Sequence, residues 1–161
     1  MTKPALIKGA KSDEWYTPEW CVKQIFEYYK PKGKILLPWD TEKSNFVKYC
    51  CNNNIECQYN IRDFMTTDYD YDWIISNPPY SNKDEIIERC IEIGKPTVLL
   101  LPIEALGGLR RHKAYRNTKL NIYIPERRIA FISENGEQSK AAAHHSIYLG
   151  LNFEEQRIEV E

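Results

Sequence analysis

The strongest constraint on this chain is a short segment in which an apolar strand runs directly into two prolines. Trp73, Ile74, Ile75 and Ser76 are followed without a break by Asn77, Pro78, Pro79 and Tyr80. Proline cannot donate to a sheet ladder and fixes an extended backbone. The residue before each proline is pushed to an extended conformation as well. The strand must therefore stop at Asn77, and Asn77 and Tyr80 must stand rigidly at its C-terminal end. In open α/β sheets that end is where ligands bind.

The flanking segments supply strands and helices in alternation. Pro18 at a helix start leads into 19–29, with Val22, Ile25, Phe26 and Tyr29 at helical spacing, and Pro31, Lys32 and Gly33 end it. Residues 34–38 read as a buried strand. Asp40 or Thr41 is expected to cap a helix running to about Asn53, with Phe46, Val47 and Cys50 on one face. Residues 55–59 read as a strand, and 61–64 as a very short one. Residues 83–93 form an amphipathic helix closed by Gly94. Residues 96–102 are the most apolar strand, and 109–117 read as helical. Residues 120–132 and 142–151 read as two strands joined by the polar turn 133–137, hence an antiparallel hairpin. The expected fold is α/β: a Rossmann-like, mostly parallel sheet with helices on both faces and an antiparallel hairpin at its C-terminal edge.

A length of 161 residues, with eleven Tyr, five Phe and four Trp, suits one domain with a sizeable core. No apolar run approaches a membrane span, and the first residues lack the apolar region of a signal peptide. Twenty-two Lys and Arg against 23 Asp and Glu leave a net charge of −1, so nucleic acid would have to be met by a local basic patch. Cys21, Cys50, Cys51, Cys57 and Cys90 are odd in number and form no C-x-x-C pair. That pattern fits reduced thiols in a cytoplasmic protein rather than a disulfide framework or a zinc ribbon.

The groups at the strand end fit one chemical problem. The exocyclic amine of adenine is a weak nucleophile because its lone pair is delocalised into the ring. The Asn77 amide and the Pro78 carbonyl offer acceptors for its hydrogens. Two such acceptors favour a pyramidal nitrogen as a methyl group arrives, which stabilises the transition state more than the ground state. Tyr80 offers a plane on which a base taken out of the helix can stack. The competing reading is a Pro-Pro turn after a core strand, with Tyr80 as packing.

The segment Asn77-Pro78-Pro79-Tyr80 matches the catalytic motif of the amino-methyltransferase superfamily. The chain as a whole resembles the N6-adenine DNA methyltransferases, most closely the small phage and mobile-element type. The resemblance runs from Asp13 to Leu151. Trp15, Tyr16, Thr17 and Pro18 resemble the upstream segment that packs against S-adenosyl-L-methionine. Asp63 and Phe64 stand where that family places an acid and an aromatic near the cofactor's adenine. Residues 95–102 match the next core strand, and 123–131 the late strand with its basic turn. The resemblance implies S-adenosyl-L-methionine as cofactor and DNA as partner. It implies Asn77, Pro78, Pro79 and Tyr80 as the catalytic group, and one methyltransferase-like domain over 1–161 with no separate target-recognition domain. A partner chain supplying sequence recognition is compatible with that size.

Two departures stand out. The glycine loop expected after the first strand reads Leu37, Pro38, Trp39, Asp40, Thr41, Glu42, Lys43, Ser44, and no glycine occurs between Gly33 and Gly94. A reshaped loop is expected, with Asp40 meeting the cofactor's ammonium group beside Pro38. The acid expected after the second strand, for the ribose hydroxyls, is replaced by Gln58, Tyr59 and Asn60. The short connection to the catalytic strand also implies that one helix of the full fold is missing.

Arg110, Arg111, Lys113 and Arg116, with Lys83 and with Arg127 and Arg128 if the fold brings them near, are candidate DNA phosphate contacts. The alternative is a solvated helix face. His144 and His145 are adjacent in a strand, so they point to opposite faces and do not chelate one ion. Asp68, Asp70 and Asp72 lack a full calcium-loop pattern and read as a turn before the catalytic strand. Glu154, Glu155, Glu159 and Glu161 read as a solvated acidic tail. Two other functions remain open at this level: amino-methyl transfer to RNA or protein glutamine, and a catalytically silent binding module of the same fold.

Overall fold

The computed structural model describes residues 15–133, 135–137 and 144–161. The described chain opens with β1 (Trp15–Tyr16) and then α1 (Glu19–Tyr29). Pro18 caps α1 in an extended conformation, and its carbonyl accepts from Cys21 N and Val22 N at 3.1 and 3.2 Å. The helix buries Cys21, Val22, Ile25, Phe26 and Tyr29, the stripe its spacing predicts. Next come β2 (Ile35–Leu37), α2 (Asn45–Asn52), β3 (Cys57–Tyr59) and β4 (Trp73–Ser76). They are followed by α3 (Lys83–Ile93), β5 (Thr97–Pro102) and α4 (Leu109–Tyr115). The last elements are β6 (Asn121–Ile124), β7 (Ile132–Ser133), β8 (Ser146–Leu151) and β9 (Arg157–Val160).

Seven strands form one sheet in the order β3-β2-β4-β5-β8-β6-β9. β3, β2, β4 and β5 run parallel, β8 runs antiparallel to both β5 and β6, and β9 runs parallel to β6. This is the expected Rossmann-like sheet, mostly parallel with an antiparallel C-terminal part. Side chains of period two bury both faces. Leu37, Ile75, Leu100 and Tyr148 pack under α1 and α2, and Ile74, Leu99, Leu101 and Leu149 pack under α3. Gly94, at φ 81°, closes α3 as predicted.

Several boundaries differ from the sequence reading, each for a local reason. α2 begins at Asn45, not at Asp40 or Thr41. Ser44 is the cap, its Oγ accepting from Phe46 N at 3.1 Å, while Asp40 accepts from that same hydroxyl at 2.7 Å. Residues 61–64 form turns rather than a strand, because the Asp63 carbonyl takes Thr66 N and Thr67 N at 3.0 Å each. The segment 120–132 is not one strand. β6 ends before Pro125, and Ile132–Ser133 pairs with β1 in a separate two-stranded ribbon. The expected strand start at Ala142 lies outside the described residues. β6 and β8 do pair as an antiparallel hairpin, but β9 covers its outer side. The acidic tail is therefore not simply solvated: Arg157–Val160 is a strand, Glu159 pairs with Arg157 at 2.9 Å, and Glu161 accepts from Glu126 N at 2.7 Å.

Asp68, Asp70 and Asp72 lie in an irregular segment rather than the expected turn, the turns falling at 62–66, but the segment is anchored to its neighbours. Asp72 accepts from Lys34 N at 2.8 Å, Asp70 pairs with the Lys34 ammonium at 3.0 Å, and Asp68 pairs with Arg89 at 3.0 Å. Gly33, at φ 89°, is required here, since a Cβ would overlap the Asp72 carboxylate. No helix lies between β3 and β4, as the short connection implied.

Candidate active site

The sheet register decides which loops meet. Ile35 is level with Trp73 and Leu36 with Ile74, so the loop leaving β2 emerges beside the segment leaving β4. Adjacent strands lie about 4.8 Å apart. The 38–44 loop and the 77–80 segment are therefore neighbours at the C-terminal edge.

Pro78 is buried and Asn77 half-buried, and Pro79 sits at φ −62° and ψ 122°. The Asn77 Oδ1 atom is buried and has no hydrogen-bond partner among the described residues. A buried acceptor left unpaired costs about 1–3 kcal/mol, so this oxygen is a candidate acceptor for a ligand's donor. Tyr80 starts a short 3₁₀ turn (Tyr80–Asn82) that feeds α3. Its ring is half-buried against the α3-side core. Its hydroxyl faces Ser146 at the start of β8, and burial pushes the phenol well above its ordinary range.

On the neighbouring loop, Pro38 is buried and its carbonyl accepts from Ile61 N at 2.7 Å, which draws the Asp63–Phe64 turn to the exit of β2. Asp40 accepts from Ser44 Oγ through Oδ1, while Oδ2 is buried and unpaired among the described residues. Burial pushes its carboxyl up to about 7, against the smaller opposing effect of the Ser44 hydrogen bond. A buried carboxylate oxygen with nothing to bind fits a cationic group of a ligand. Thr17 is buried, and its carbonyl accepts from Asn45 Nδ2 at 2.8 Å, tying the segment after β1 to the start of α2 beside Asp40.

The remaining candidates divide. Tyr16 is half-buried, Trp15 is exposed and paired in the ribbon with Ser133, and Pro18 is occupied as the α1 cap. Phe64 is a core residue, meeting Trp39 edge-on at 5.2 Å. Asp63 is exposed, and its carboxylate accepts from Thr67 Oγ1 at 2.9 Å and from the Tyr69 hydroxyl, which hold it below its usual range. Each of its oxygens keeps a second lone pair. Asn60, at φ 59°, follows β3 where an acid was expected.

The basic residues do not form one patch. Arg110 is bidentate to Glu88 at 2.8 and 2.9 Å, and Arg111 binds Asp84 at 2.8 Å and the Gly107 carbonyl at 2.6 Å. Both are tied to α3. Arg127 lies 3.8 Å over the Trp20 ring, on the α1 layer, and Arg128 is also engaged within the chain. Arg116 meets His112 at 3.0 Å. Lys113 lines an open groove between α3 and α4, and Lys83 stands at the start of α3. Neither lysine has an ion-pair partner among the described residues. His144 pairs with Glu104, His145 meets the Pro125 carbonyl at 2.6 Å, and no cluster among the described residues could hold a metal.

Two supporting residues escaped the sequence reading, and Ser44, read only as part of the loop after β2, proves to be the cap of α2. Ser44 and Asn45 carried a signal, a hydroxyl and an amide just before the apolar pair Phe46 and Val47. Arg89 holds the Phe64 and Thr67 carbonyls at 3.3 and 3.4 Å, and its sign was a lone arginine beside Cys90 in an amphipathic helix.

A family model of DNA N-6-adenine-methyltransferases (Dam) matches residues 5–158. The chain belongs to this family. S-adenosylmethionine is the methyl donor that the family implies, and the unpaired Asp40 oxygen suits its ammonium group. No curated protein sequence matches the chain. Among solved structures, a Listeria monocytogenes protein described as a class I S-adenosylmethionine-dependent methyltransferase is similar at TM-score 0.56. It shares 14% identity over 98% of this chain and 70% of its own. TehB from Haemophilus influenzae has a TM-score of 0.45 at 14% identity, over 83% of this chain. TrmN from Thermus thermophilus has 0.41 at 10% identity, over 84%. The chain spans 62% of TehB and 49% of TrmN. The Listeria likeness supports the methyltransferase fold. No helix among the described residues is long and apolar enough to cross a membrane.

Proposed function

We propose that this chain transfers a methyl group from S-adenosylmethionine to the exocyclic N6 amine of adenine in DNA, with the target base taken out of the helix. The observation that carries the reading is the buried, unpaired Asn77 Oδ1, fixed by two prolines at the C-terminal end of β4. When bound, the cofactor supplies an electrophilic methyl on a sulfonium.

The chain's residues have separable tasks. Asp40, ionised, holds the cofactor's ammonium group through its free Oδ2. Thr17 and Pro38 shape the pocket wall, and Asp63 meets the adenine edge with its spare lone pairs. Asn77 Oδ1 and the Pro78 carbonyl each accept one hydrogen of the target amine, which turns its lone pair toward the methyl. Tyr80 stacks on the extruded base, its ring fixed because its hydroxyl end is buried. The amine proton leaves to solvent after transfer, so no strong base is needed. Lys83, Lys113 and Arg116 approach the phosphates, while Arg110 and Arg111 brace α4 against α3.

The test is Asn77→Ala. Transfer to adenine-containing duplex should fall by at least about a hundredfold, the scale of losing one transition-state hydrogen bond, with cofactor binding unchanged in calorimetry. Retained turnover would remove Asn77 from the mechanism. Fluorescence of 2-aminopurine at the target position should rise on binding if the base is extruded.

A further inference from the structure

We infer that the outer edge of β9 is a self-pairing surface, on which a second copy of this chain docks antiparallel about a twofold axis through Ile158. In a parallel ladder alternate residues direct their backbone groups to one neighbour. Arg157 N bonds the Leu120 carbonyl at 2.8 Å and Glu161 N bonds the Ile124 carbonyl at 3.0 Å. Residues 157, 159 and 161 thus face β6. Ile158 and Val160 turn their N–H and C=O groups outward, and among the described residues no strand pairs with them.

The side chains fit the same axis. Ile158 is level with Ile122, so it extends the sheet face that α3 and α4 cover elsewhere. It is 65% exposed, and Val160 69%, an uncovered apolar stripe on an open edge. Centred on Ile158, antiparallel pairing sets Ile158 against Ile158 of the second copy and Val160 against Gln156. Ile158 and Val160 are the positions whose backbone groups point outward, so the central Ile158 pair exchanges hydrogen bonds across the axis. The alternate positions set Arg157 against Glu159 of the second copy, twice. Those are the close, non-hydrogen-bonded pairs where opposite charges stabilise a sheet.

The other open edge is a poorer partner. β3 has three residues, and Asn54 and Asn60 at positive φ stand near either end. Pairing β9 with β3 would also be head-to-tail and would not close, whereas the twofold stops at two copies. In the twofold pair the sheets run in opposite directions, so the two candidate sites open at opposite edges of the joined sheet. Each copy would meet DNA independently.

Sedimentation velocity over concentrations on the order of 10–1000 µM, the range of small interfaces, tests this. The mass should rise from 19.0 kDa toward its double. Ile158→Pro removes a central N–H that bonds nothing within the chain, and should abolish the rise with little change in thermal stability. Glu159→Arg and Arg157→Glu, each alone, place like charges opposite and should weaken self-association about tenfold. Mixing those two variants should restore association, because Arg again faces Glu across the axis. A wild-type chain that stays monomeric, pairing that survives Ile158→Pro, or mixed variants that do not associate would each overturn the inference.

Discussion

Asp40 offers the sharpest quantitative test of the cofactor pocket. Its carboxyl is pushed from an ordinary value near 3.8 up to about 7 by burial. That interval corresponds to about 4 kcal/mol at 1.36 kcal/mol per pH unit. The sign follows from proton counting. Between pH 4 and 7 the folded chain holds a proton on Asp40 that the unfolded chain has lost. Folded-state stability therefore falls as pH rises through that window, and stays lower above it. Asp40→Asn keeps the shape and removes the charge. It should leave melting nearly unchanged at pH 4 and raise it at pH 8 by on the order of 10 °C, from about 2–4 °C per kcal/mol at this size. The same substitution should weaken S-adenosylmethionine binding at pH 8, by roughly tenfold to a hundredfold, since a charge-assisted hydrogen bond is lost. Wild-type affinity should decline below pH 7, where the carboxyl holds its proton, and the variant's should not share that decline. The assays are thermal melts at pH 4 and pH 8 and calorimetric titration of the cofactor. A variant that is destabilised at pH 8, or that binds the cofactor as tightly as wild type, would refute the reasoning.

Tyr80→Phe should keep turnover close to wild type, while Tyr80→Ala should raise KM for DNA by about 1–3 kcal/mol of lost stacking, read by steady-state kinetics. Lys113→Ala should lower the salt slope of DNA binding by about one. Arg110→Ala should leave that slope unchanged, because Arg110 is already neutralised by Glu88; filter binding across salt concentrations separates them. Gly33→Ala should destabilise the fold by about 1–3 kcal/mol in urea melts, from the positive φ and the displaced Asp72 carboxylate.

The catalytic strand end was legible because proline acts locally: Pro78 and Pro79 dictate where β4 stops whatever surrounds them. Helix α1 was legible for the same reason, through Pro18 and the stripe from Val22 to Tyr29. The start of α2 was ambiguous, since Asp40, Thr41 and Ser44 are all capable caps. The choice fell to Ser44 because Asp40 accepts from the Ser44 hydroxyl and Thr41 Oγ1 accepts from Lys43 N, outside the helix. β9 was hidden because Arg157, Ile158, Glu159 and Val160 lie among acidic residues, and only the distant β6 makes them a strand. The pairing of Arg110 with Glu88 was equally invisible, since it exists only once α4 packs on α3. Asp63 and Asp40 likewise part company only in three dimensions: the exposed Asp63 carboxylate accepts from Tyr69 and Thr67, while Asp40 Oδ2 is buried and unpaired among the described residues.

Pro78 and Pro79 are two consecutive positions with no N–H. The backbone beside Asn77 can therefore present carbonyl oxygen but cannot donate, and the unpaired Asn77 Oδ1 adds a further lone pair to the same wall. A thymine or guanine turned into this place would bring a keto oxygen, which has no hydrogen to give, against the Pro78 carbonyl and Asn77 Oδ1. On the proposed reading, an amino group is favoured there for the reason a carbonyl is disfavoured. Discrimination between bases can thus begin with two residues whose defining property is a hydrogen they lack.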